Sequence, residues 1–141
     1  MAIDLADLAK NSLIGNLEKL RDEVRQLAEP LTDAELWHKP LDQSNSVGHL
    51  ILHLSGNLNH FVGARLGNTG YVREREREFT EANVPSRATL LAGLECAVAA
   101  FRRVVSGLSA DQLAAPHPDD RFGTVLNALT TLLAQDRKSV V

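Results

Sequence analysis

The chain has 141 residues, 44% hydrophobic and only 4% aromatic, enough for one domain spanning 1–141 with a single core. Fifteen Lys and Arg against eighteen Asp and Glu leave a formal charge of −3, which argues against gripping a phosphate backbone by bulk charge. The single cysteine, Cys96, set against five histidines, excludes an intrachain disulfide and a four-cysteine zinc site. Any metal chemistry must therefore use nitrogen and oxygen donors.

Met1 to Asp7 carries acidic residues where a secretory signal needs a basic start and an apolar run, which predicts a cytoplasmic protein. No apolar stretch approaches the roughly 20 residues needed to cross a bilayer. From Leu13, apolar residues recur at Leu17, Leu20, Val24 and Leu27, the spacing of one buried helical face, and Pro30 stops it. Thr32-Asp33-Ala34-Glu35 has the spacing of a capping box and predicts a short helical turn carrying Leu36 and Trp37, with Trp37 packed under the first crossover. A second long helix is predicted from about Ser46 to Leu66, with Leu50, Leu54 and Phe61 on its apolar face, closed by Gly67, Asn68 and Gly70.

The alternating run from Arg73 to Glu78 reads as a solvated connector. Ser86 then caps a third helix with the face Leu91, Leu94, Val98, Phe101, Val105 and Leu108. Asp119-Asp120 opens a fourth, with Phe122, Val125, Leu126, Leu129, Leu132 and Leu133 as its apolar residues. Asp136 to Val141 does not continue that amphipathic pattern, so this helix is expected to be short. The sequence shows no period-two alternation. The predicted fold is all-α: an up-down four-helix bundle with long crossover connections and a shortened fourth helix.

The second helix carries the chemistry. With His53 set at zero and about 100° per residue, Asn57 falls near +40°, His60 near −20° and His49 near −40°, beside the apolar stripe. Such a column either shares a ligand or simply forms a half-wet boundary, and the residues alone leave both readings open. Leu50 stands where a metalloprotease helix needs glutamate, which removes that class. His49 and His60 are about 16 Å apart along the axis, so both cannot hold one ion. A rearranged site would pair His53 with one of them, or recruit His117. Gly56 and Asn57 read as packing devices or as a substrate contact. Cys96, off the apolar stripe, reads as a small packing residue.

The stretch Asn45 to Leu58, with His49, His53, Gly56 and Asn57, resembles the second helix of the DinB-like superfamily. Arg73-x-Arg75-x-x-Glu78-Phe79 is similar to a pattern that one branch carries just after that helix. The resemblance implies a four-helix bundle holding a divalent metal, zinc or nickel, with three histidines. One comes from the second helix and two, as His-x-x-x-His, from the fourth. It also implies thiol-dependent transferase or isomerase chemistry on a small molecule, with a low-molecular-weight thiol as co-substrate.

By this likeness His53 is the first metal ligand, while Gln135 and Ser139 stand at the other two positions. Gln offers a neutral carbonyl and Ser is a poor ligand, so the metal site is expected to be incomplete. A lost site and a shortened chain both account for this. Asn57, Arg73 and Arg75 become candidate substrate contacts, with Glu78 beside them. The alternative function is a non-catalytic bundle that binds a small molecule or forms a homodimer, because a short fourth helix would leave the Leu13–Leu27 and Leu91–Leu108 faces uncovered. The expected partners are a small-molecule substrate and a second copy, with neither nucleic acid nor membrane.

Overall fold

The computed structural model describes residues 4–39, 46–73 and 85–140. Helix α1 spans Leu5–Ala28, and the Asp4 side chain caps it by accepting from the Ala6 and Asp7 amides. It begins well before Leu13 because Leu5 and Leu8 are exposed and so leave no trace in the apolar periodicity. Thr32 and Glu35 form the expected capping box of α2, Asp33–Leu36. Ser46 caps α3, Val47–Asn57, which passes into a π-helical stretch, Leu58–Ala64, and a closing turn, Arg65–Gly67. Asn68 ends it in the left-handed conformation at φ 52°, which asparagine tolerates better than most side chains.

Helix α4 covers Arg87–Ser106 and is capped by Ser86. Lys10 on α1 donates to the Ser106 and Leu108 carbonyls at 3.2 and 2.8 Å, placing a cation on the negative end of α4. A short α5, Ala110–Ala114, rests on a Ser109/Gln112 capping box. The expected helix start at Asp119-Asp120 is instead a 3-10 turn, Asp120–Phe122. Thr124 then receives the Asn127 amide at 3.1 Å to begin α6, Val125–Val140. Among the described residues there is no strand, only the isolated pairing of Pro116 with Thr124.

The four long segments bury one stripe each around Leu17, Leu54, Leu94, Phe101 and Leu129. Each fully buried Leu or Phe side chain contributes about 1.5–3 kcal/mol by its removal from water. Glu95 on α4 ties down Arg21 and Arg25 of α1 at 3.2 and 2.8 Å.

Three sequence expectations change here. At 16 residues α6 is short beside α1 and α4, but it remains helical through Asp136 and on to Val140. The faces expected to be bare are also covered: Leu13 to Val24 and Leu91 to Leu108 are buried along their stripes, and only Leu27 among them is exposed. The chain thus covers within itself the core faces that a second copy was expected to cover. Cys96, expected to pack, is exposed. No helix among the described residues is long and apolar enough to cross a membrane.

Candidate functional site

A cavity of about 480 Å³ opens where α3, its π-helical continuation and α6 meet. His53 and Asn57 reach it from α3, His60 and Phe61 from the π-helical stretch, and Thr131 and Gln135 from α6. Arg73, Phe122 and Arg121 complete its wall.

The π-helical stretch sets part of this geometry. Its i→i+5 bonding turns less per residue than an α-helix, so the positions after Asn57 depart from the simple wheel. The Phe61 carbonyl is taken up by His117, whose Nε2 lies 3.0 Å away. The Asp119 amide donates to His117 Nδ1 at 2.9 Å, so Nδ1 is unprotonated and Nε2 carries the hydrogen. Both nitrogens of this buried imidazole are thus engaged, and His117 pins the loop before α6 to the second helix. The His117 amide donates to the Gly123 carbonyl at 2.8 Å and the Val125 amide to the Ala115 carbonyl at 2.8 Å. That narrow loop turns at Gly123, φ 68°, and delivers Arg121 and Phe122 to the cavity.

Behind the wall lies a residue that sequence reasoning passed over. Asp136, 1% exposed, accepts from Asn57 Nδ2 at 2.8 Å through Oδ1, while its Oδ2 has no hydrogen-bond partner among the described residues. Burial pushes its carboxyl up to about 7, against the smaller opposing pulls of Asn57, His53 and Arg73. Asn57 Nδ2 also lies 3.4 Å from His53 Nε2; because Asn57 and Arg73 are both donors, the neutral ring accepts from only one of them. Arg73 Nη2 stands 3.5 Å from the opposite ring nitrogen. His60 is lowered, first by burial and then by Arg73 and Arg65, so its ring is neutral at pH 7.

The polar column predicted on the second helix divides. His53 and His60 share the cavity, whereas His49 is buried away from it, with Nδ1 2.6 Å from Ser46 Oγ and its ring edge-on to Trp37 at 4.8 Å. Trp37 packs on Gly48 and donates to the Pro85 carbonyl at 3.2 Å. Gln135 lines the cavity, but Ser139 is exposed and donates to the Gln135 carbonyl at 3.1 Å. Arg75 and Glu78 lie outside the described residues.

A family model described as the DinB superfamily matches residues 16–134. The chain belongs to the DinB superfamily. The match ends just before Gln135. Among solved structures, the chain is similar to YfiT from Bacillus subtilis, described as a probable metal-dependent hydrolase with an unusual four-helix bundle topology. The two share 21% identity over 93% of this chain and 81% of that one, with a TM-score of 0.70, a likeness of fold. None of the curated proteins compared with this chain matches it.

This member of the DinB superfamily does not carry the donor set that its sequence resemblance implies. His53 supplies one imidazole, Gln135 a neutral amide, and the Ser139 hydroxyl is turned to a backbone carbonyl. A guanidinium beside the His53 ring opposes a dication there. Among the described residues no three His, Cys, Asp or Glu side chains are grouped to hold a metal ion. The residues present do not fit a three-imidazole centre.

Proposed function

We propose that this DinB-superfamily protein is a small-molecule-binding bundle whose ligand occupies the cavity at His53. The observation that carries the reading is convergence: polar groups from the second helix, the segment after it, the loop before α6 and α6 itself meet two aromatic rings in one cleft of about 480 Å³. A thiol-dependent, metal-using transferase is the second reading. The place of His53 on the cavity wall and the metal-dependent description attached to YfiT support its metal-using part alone.

Metal analysis separates the two. Protein purified without chelator and equilibrated with zinc or nickel is expected to retain well under one equivalent, with an unchanged unfolding midpoint in EDTA. One tightly held equivalent, lost in His53→Ala, would overturn the binding-bundle reading in favour of the metal enzyme. For the binding reading itself, a fragment screen followed by histidine ring resonances is expected to find ligands that shift His53 and His60 together. Hits that leave both unmoved would place binding elsewhere.

A further inference from the structure

The charge around this cavity is opposite in sign to that of the chain. The protein is formally −3, yet none of the described residues lining the cavity is acidic and two are arginines; Asp119 offsets part of the Arg121 charge from behind. Both guanidiniums approach one ring: Arg73 Cζ lies 5.7 Å and Arg121 Cζ 5.6 Å from the Phe61 centroid. The ring quadrupole offsets part of their mutual repulsion and holds them at the cavity.

Arg121 is also oriented from behind. Asp119 accepts from its Nε at 3.0 Å and from its Nη2 at 2.8 Å, which leaves Nη1 without a partner among the described residues. Arg121 Cζ also lies 5.4 Å from the Phe122 centroid, while the side chain stays 70% exposed and open to a ligand from solvent. Phe61 and Phe122 meet edge to face at 5.1 Å, giving the cavity an apolar wall beside its cations. Thr131 and Gln135 add neutral hydrogen-bonding groups from α6.

We infer that the cavity is a binding site for a small organic oxyanion, a carboxylate or phosphate carried on an apolar or aromatic body. Arg121 and Arg73 bind the oxyanion, and Phe61 and Phe122 pack against the body. Guanidinium suits this task because it offers parallel N–H donors to a planar or tetrahedral oxyanion. The inference rests on the cavity being a ligand site and adds the class of ligand.

Calorimetric titration with benzoate, phenyl phosphate and the neutral isostere benzamide tests it, with His53 and His60 ring resonances reporting the location. Benzoate or phenyl phosphate is expected to bind at least tenfold more tightly than benzamide, and to weaken as salt is raised. The tighter of the two identifies carboxylate or phosphate as the group recognised. Arg121→Gln is expected to lose at least fivefold and Gln135→Glu at least tenfold, while Arg103→Gln, an exposed site on α4, changes nothing. Unfolding midpoints confirm that each variant is folded. Equal binding of benzamide at His53 would overturn the oxyanion inference and leave the ligand site standing. Full affinity in Arg121→Gln would also overturn it. No saturable binding of any of the three at millimolar concentration would remove both.

Discussion

Asp136 makes the most quantitative claim on this protein. Its carboxyl is 1% exposed, one oxygen is held by Asn57 at 2.8 Å, and the other has no hydrogen-bond partner among the described residues. Burial raises it from 3.8 to about 7, which means that the folded state holds a proton that the unfolded chain has released. For a carboxyl raised in this way, stability is highest below the unfolded value near pH 4. It is lost as pH rises towards 7, because the unfolded state binds fewer protons. The rise corresponds to about 4 kcal/mol, a large part of the 5–15 kcal/mol typical of a whole domain.

Asp136→Asn removes the titration and keeps an oxygen for Asn57. Its new amide hydrogens lack a partner, a cost of about 1–3 kcal/mol at every pH. The variant is therefore expected to be no more stable than the wild type at pH 4.5, and about 1–3 kcal/mol more stable at pH 8. Urea unfolding of both proteins across that range measures the difference. Thermal midpoints should cross, with a relative swing on the order of 10 °C. A relative swing below about 1 kcal/mol between pH 4.5 and 8 would refute the claim that this carboxyl is dry and unpaired.

Three further variants test the supports of the site. Gly48→Ala places a Cβ 2.9 Å from the Trp37 ring, so the indole must shift; a loss of about 1–3 kcal/mol and a change in emission are expected, cleanly read because Trp37 is the one tryptophan. His117→Leu strands the Phe61 carbonyl and the Asp119 amide, and urea unfolding should show a loss of about 2–4 kcal/mol; a loss under about 0.5 kcal/mol would mean that water replaces both bonds. Gln135→His combined with Ser139→His supplies the two imidazoles the chain lacks. Zinc affinity, measured by competition with a chelating dye, should rise at least tenfold; no rise would mean that Arg73 beside His53, not the missing donors, decides the matter.

The helices were legible where their apolar spacing was unbroken. Leu13, Leu17, Leu20 and Val24 announced α1, and Thr32 with Glu35 announced α2. What escaped had no apolar signal to give. The start of α1 exposes Leu5 and Leu8, and α5 is five residues resting on one capping box. A wheel drawn at constant pitch grouped three histidines. It could not show that α2 and Trp37 would bury His49, nor that the second helix would widen after Asn57.

Asp136 was misread for a different reason. A charge at a helix end is ordinarily solvated, so its arrival seemed to end the amphipathic stripe. Yet Val125, Leu129, Leu132 and Asp136 follow one another in steps of four, three and four, and all four are buried. The stripe continued with a carboxyl in it. Asn57 meets that carboxyl from α3, at the helical spacing that also puts its amide beside His53. An asparagine read from sequence as packing or substrate contact thus joins two polar residues from different helices behind one cavity. Its loss would leave Asp136 with neither oxygen bonded by the described residues. Asn57→Ala is therefore expected to raise the Asp136 carboxyl further, steepening the loss of stability with pH, whereas Asn57→Asp places a second carboxyl beside the first and should fold well only in acid.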